Sequence, residues 1–216
     1  MTTAMNAIFQ EVPGSSRPSP DAAPEHGPPR LPLQVLAAVG ERLAATATGL
    51  MNDGGDTVAE LARLERWGLQ LQALVQVVTR APQLRHERVD LGLALLQTLA
   101  EWSAEADRCG AELHGPACSV DIDANPAALK HLLDLAVEHG LQQGRTLRLD
   151  IDDAPDSPHA RVVMHADSAP ATRSPARDTL AWQLLALLAA ALDVPLERQV
   201  MPGGELLVMQ LSKNPV

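Results

Sequence analysis

Apolar positions in the first part of the chain repeat at helical spacing. From Leu33 to Leu50, the residues Leu36, Val39, Leu43, Ala47 and Leu50 fall three and four apart, drawing one stripe along a helix. The segment MNDGGD interrupts that stripe. Asp56 is placed to cap a second helix with Glu60 near its first turn, and Leu61, Leu64, Gly68, Leu71, Val75 and Val78 continue the three-four seam to Arg80. The two segments predict an antiparallel helical hairpin over residues 31–82. Trp67, Leu74 and Val77 lie beside the seam, so the apolar surface is wider than one partner helix covers. Two copies would close it as a four-helix bundle, and a homodimer through 31–82 is the expectation. Packing of the hairpin on the rest of the chain is the alternative use of the same surface.

After APQLRHER the periodicity changes to α+β. A helix is expected from Val89 to Arg108, short strands near Ala111–Leu113 and Ser119–Asp123, and a helix from Pro126 to His139. Asn125 as cap and Pro126 at the first helical position mark the start of the last of these. TLRLDID and ARVVMHAD alternate as half-buried strands do, DTLAWQLLALLAAAL is a strongly apolar helix, and ELLVMQLS follows the turn PGG as a closing strand. The fold class predicted for 83–216 is a two-layer α/β sandwich, with helices on one face of a mixed sheet.

Composition narrows the function. Residues 1–30 are rich in Pro and Ser and read as a disordered tail. Aromatics make up only 2% of the chain against 46% apolar residues, so the core must be built from Leu, Val and Ala. A formal charge of −10 offers no counter-charge to a phosphate backbone, which argues against nucleic acid as a partner. No apolar run approaches the roughly 20 residues that span a bilayer, and the N-terminus lacks a secretory pattern, so no membrane partner and a cytoplasmic location are expected. Cys109 and Cys118 have no companions at metal-ligand spacing and read as buried or indifferent thiols.

Two stretches, ERVDLGLALLQTLAEWSAEADRCGAEL and VDIDANPAALKHLLDLAVEHG, with the closing PGGELLVMQLS, resemble the C-terminal half of bacterial sensor histidine kinases over residues 33–213. That family joins a dimerising hairpin to the ATPase domain shared with gyrase. The resemblance implies a nucleotide pocket, and its letters are mostly changed here. The asparagine box that reaches magnesium and phosphates is matched by His131, Leu132, Leu133, Asp134, Leu135 and Ala136, without either asparagine. Mg²⁺ tolerates poor ligand geometry badly. The Asp-x-Gly-x-Gly motif is matched by Asp167, Ser168, Ala169, Pro170 and Ala171; the adenine-binding Asp survives and both glycines are Ala. The last Gly-Leu-Gly-Leu is matched by Thr179, Leu180, Ala181 and Trp182, letters that cannot wrap an anion with backbone amides. The first hairpin helix carries no phospho-acceptor histidine: Val39, Gly40 and Glu41 stand where the family has Ser-His-Glu. Asp167, His131 and Asp134 are thus candidates for a vestigial nucleotide pocket, with no catalytic residue, no metal ligand and no cofactor expected.

The resemblance implies a non-catalytic, dimeric signalling scaffold that binds a response regulator or another kinase, with faces around Glu41, Arg42, Arg63 and Arg66 as the place to dock. The alternative is a diverged ATP-binding kinase or phosphotransferase, with ATP and Mg²⁺. His131, Asp134 and Glu138 share one helix face; they read either as a small polar-ligand site or as a solvated face. His139, just before Gly140, reads as a helix C-cap. His86, with Arg85 and Arg88, reads as a solvated connector able to meet an acidic partner. Asp150, Asp152, Asp153 and Asp156 read as a strand end and acidic hairpin turn.

Overall fold

The computed structural model of the chain describes residues 57–80, 84–167 and 179–213. The first predicted helix, Leu33–Leu50, and the tail before it lie outside those residues. The second helix is present as α1, Thr57–Arg80. From residue 84 the order is β1 (Glu87–Asp90), α2 (Leu91–Cys109), β2 (Glu112–His114), β3 (Asp121–Ala124), α3 (Pro126–Gln143), β4 (Thr146–Asp152), β5 (His159–Asp167), α4 (Leu180–Ala191), β6 (Leu196–Met201) and β7 (Gly204–Ser212).

The larger sheet runs β2-β4-β5-β7-β6. β2 is parallel to β4 and the remaining neighbours are antiparallel. β1 and β3 form a separate antiparallel ribbon. Alternation in β4, β5 and β7 puts every second side chain on the face that the helices cover. Leu147 and Leu149, Val162 and Met164, and Leu207 and Met209 are buried there against Leu132, Leu133 and Val137 of α3 and Leu184, Leu185 and Leu188 of α4. Helices over a mixed sheet make the expected two-layer architecture.

Local chemistry sets the boundaries, and four expectations shift. Val89 and Asp90 end a strand instead of opening a helix. Asp90 then caps α2 by accepting from Leu93 N at 2.8 Å, and the hydroxyl of Ser119 and the amides of the cap hold its carboxyl below the ordinary value. Asn125 caps α3 as predicted, accepting from Ala128 N at 3.0 Å. That helix runs past His139 to Gln143: Gly140 is no cap, because a Cβ there would run into Leu147 and lie 3.1 Å from the Met164 sulfur. Glycine instead lets α3 lie close on β4 and β5. Strand β6, which the sequence reading lacked, is a largely exposed edge. Cys109 and Cys118 are both exposed and unpaired with each other.

α1 lies across α3 and α4. Leu74 and Val77 enter the common core, and Trp67 and Leu71 pack against it. Leu61 and Val75 of the seam remain exposed, as does Gly68. The flank beside the seam, not the whole seam, therefore docks on the domain. Among the described residues no helix is long and apolar enough to cross a membrane.

Candidate functional site

The helical spacing of His131, Asp134 and Glu138 does put them on one face of α3, but α1 and α2 cover that face. Glu138 is 5% exposed. It accepts from Trp67 Nε1 at 2.9 Å and Gln70 Nε2 at 2.7 Å, both on α1, and from Gln142 Nε2 at 3.4 Å. Asp134 accepts from Trp102 Nε1 of α2 at 3.0 Å and from Lys130 Nζ at 2.7 and 2.9 Å. Lys130 also meets Glu101 at 2.6 Å. Burial alone would lower the Lys130 pKa, but the hydrogen bonds to Asp134 and Glu101 and their charge outweigh it and raise it. Burial lowers the pKa of His131 against the pull of Asp134, with the Lys130 charge acting the same way as burial. Arg66, expected to face a partner, pairs with Glu105 at 3.1 Å and sits 4.8 Å over the Trp102 ring. A cleft of about 420 Å³ between these helices is lined by Arg66, Gln70, Trp102, Lys130, His131 and Asp134 among others. Its Arg66, Lys130 and Asp134 are already paired within the protein. Glu138 is buried, while His131 and Asp134 are half-buried and line the cleft.

A second polar group is buried between α3, α4 and the sheet. His139 is 0% and Glu205 2% exposed. His139 Nδ1 lies 2.8 Å from Thr179 Oγ1 and Nε2 lies 2.7 Å from Glu205 Oε1. Arg198 of β6 donates to the same carboxylate from Nε at 2.8 Å and Nη2 at 3.2 Å. Its guanidinium sits 4.6 Å over the Trp182 ring, which lies 5.6 Å from the His139 ring. Thr179 caps α4 by accepting from Trp182 N at 3.0 Å. One proton assignment satisfies the chain: Trp182 N–H donates to Thr179, the hydroxyl donates to Nδ1, and Nε2–H donates to Glu205. Burial alone would raise the Glu205 pKa, but the hydrogen bonds from His139 and Arg198, and the charge of the guanidinium, hold it below the ordinary value. The sequence reading missed Glu205 and Arg198. The signal for Glu205 was there: in GELLVMQLS the inward positions Glu205, Leu207, Met209 and Leu211 carry one charge among apolar residues.

Asp167 ends β5 and is exposed. Its carbonyl accepts from Arg145 N at 2.9 Å, and it pairs with Gly204 one step from the Ala166–Glu205 pair. A Cβ on Gly144 would stand 2.6 Å from the Asp167 carbonyl oxygen, so backbone meets backbone at the C-terminal end of α3. His131 and Asp134 are thus together and Asp167 is not with them. At about 1.5 Å per residue, Asp134 to Gln143 alone spans roughly 14 Å of helix. Ser168, Ala169, Pro170 and Ala171 lie outside the described residues. Leu135, which stands where the family's box has its second asparagine, is 2% exposed and part of the core. Among the described residues, no three His, Cys, Asp or Glu side chains group as metal ligands do.

No protein-family sequence model matches the chain, and no curated protein matches it by sequence. Solved structures do match. Histidine kinase AdeS of Acinetobacter baumannii has a TM-score of 0.59 at 12% identity, over 83% of this chain and 98% of that one. The catalytic domain of histidine kinase ThkA follows at 0.51 and 11% identity, over 61% and 99%. The fold is of histidine-kinase type. Full-length ShkA, solved with AMPPNP, matches at 0.52 and 18% identity, over 86% of this chain and 47% of that one. The histidine-kinase likeness of this chain is one of fold. With AdeS it extends over more of the chain than the isolated ThkA catalytic domain covers.

Proposed function

We propose that this chain is a non-catalytic protein of two-component signalling that keeps the histidine-kinase fold as a scaffold and does not hold ATP. The observation that carries the reading is the buried group of His139, Thr179, Glu205 and Arg198. It adjoins the positions that the family resemblance assigns to the nucleotide: Thr179 is one of them, His139 follows the box on α3, and Glu205 pairs with Ala166, the residue before Asp167. A nucleotide entering there would displace a satisfied network and meet the ionised Glu205. Breaking one member of a buried charged group strands the others, at a cost of about 3–5 kcal/mol. Trp67 and Gln70 add to this by holding α1 over Glu138. The scaffold would act as a homodimer through 31–82 and bind a response regulator or kinase. The exposed Leu61 and Val75 are the surface this leaves for the hairpin bundle.

The alternative, a diverged ATP-binding kinase, is favoured by the exposed Asp167 alone. Calorimetry and thermal shift with Mg-ATP and ADP, beside Asp167→Ala, separate the two. The expected result is no saturable binding and no rise in melting temperature at millimolar nucleotide, since a ligand that binds only the folded state must raise it. Saturable binding that Asp167→Ala abolishes would overturn the scaffold reading.

A further inference from the structure

A second cleft lies at the other end of the sheet. β5 and β7 pair Asp167 with Gly204 at one end and His159 with Ser212 at the other. At about 3.3 Å per residue the two ends are roughly 26 Å apart. At the His159 end, the first turns of α3, the segment after α4 and the end of β7 surround a space of about 360 Å³. That volume is within the range of small-molecule sites. Its apolar wall is made by Ala128, Leu129, Leu132, Leu192, Val194 and Leu211.

The polar lining includes the imidazoles of His86 and His159 and the uncharged Asn125, Gln210 and Ser212. Asp123 and Asp193 contribute carboxylates, and neither Lys nor Arg lines the space. Asn125 is occupied, its Oδ1 by Ala128 N and its Nδ2 by the Arg85 carbonyl. Asp123 is buried to 13% side-chain exposure and faces the His86 imidazole at 3.3 Å, longer than a charge-assisted hydrogen bond. Asp193 is the one non-glycine residue with positive φ, 55°, among the described residues. It follows the α4 C-cap, where Val194 N returns to Ala189 O at 2.8 Å, a position glycine usually fills. A carboxylate is therefore held at the cleft where glycine would carry no strain.

We infer that this cleft binds a small amphipathic amine, its apolar body against Leu129, Leu132 and Leu211 and its ammonium at the carboxylates of Asp123 and Asp193. An anion would find neither Lys nor Arg in the lining and a chain of charge −10. A neutral apolar ligand would cover two carboxylates of which Asp123 alone faces an imidazole, and taking a carboxylate out of water without a new partner is costly. The inference is independent of whether the nucleotide face is closed.

Tryptamine and indole-3-propionate share a ring and a two-carbon tether but carry opposite charge, so they test it in the full-length chain by calorimetry and methyl NMR. Tryptamine is expected to bind saturably and to shift the methyl signals of Leu129, Leu132, Leu192, Val194 and Leu211, while a tenfold excess of the propionate leaves them in place. Asp123→Asn and Asp193→Gly should each weaken tryptamine by about tenfold. Asp193→Gly should do so with an unchanged or higher melting temperature, so that lost binding is not lost folding. Absence of saturable tryptamine binding, equal binding of the two probes, shifts elsewhere, or indifference to both substitutions would each overturn the inference.

Discussion

Glu205 is a carboxylate at an inward strand position, and its hydrogen-bond partners keep it ionised against the effect of burial. His139 reaches it from α3, Arg198 from the neighbouring strand, and Trp182 covers the guanidinium. Replacing it by Leu removes the carboxylate that Arg198 and His139 share, and is expected to lower the unfolding free energy in urea by about 3 kcal/mol. The pH dependence follows from the lowered pKa. A carboxyl whose folded pKa is below its ordinary value adds stability that is present above that ordinary value, and loses it as pH falls through the folded one. Acid titration of Glu205→Gln should therefore show a shallower loss of stability below the ordinary glutamate value of 4.5 than the parent chain does. An unchanged acid limb would show that the network does not hold the charge.

Among the elements, α1 has two differently used flanks. Leu74 and Val77 bury against the domain, each worth about 2 kcal/mol, while Trp67 and Gln70 supply hydrogen bonds to a buried carboxylate. Trp67→Ala removes both a packing surface and a donor. It should weaken the docking of α1 by about 2 kcal/mol, read as roughly thirtyfold faster amide exchange in α1 with β5 and β7 unaffected; uniform acceleration everywhere would contradict local docking. Most elements were legible because their apolar periods are clean: β4, β5, β7, the Asn125–Pro126 start of α3 and the long apolar α4. β6 was not, because an edge strand with exposed Glu197, Gln199, Val200 and Met201 has no buried face to print an alternation. The end of α3 was misplaced because Gly140 signals a cap in sequence, whereas here glycine makes room for Leu147. For the site, the face shared by His131, Asp134 and Glu138 was readable from spacing. Its cover was not, since Trp67 and Trp102 reach it from 71 and 32 positions away.

For the molecule as a whole, the exposed seam of α1 is the test of assembly. Leu61 is 55% exposed, so Leu61→Asp costs the single chain little. If the hairpins of two chains form a bundle, light scattering should show a dimer that this substitution converts to the monomer mass without loss of helical signal. An unchanged mass would remove the homodimer from the proposal. The closed group behind Asp167 has a further consequence, for how the chain can change over generations. His139, Thr179, Arg198 and Glu205 belong to separate elements and are brought together only by the finished fold, so no neighbouring pair of substitutions dismantles the group. Each replacement made alone leaves a buried charge or hydroxyl unmatched and passes through a less stable protein. A lineage that carries this group is on a ratchet: taking it apart needs several coordinated changes, whereas drift on the exposed face of β6 is nearly free.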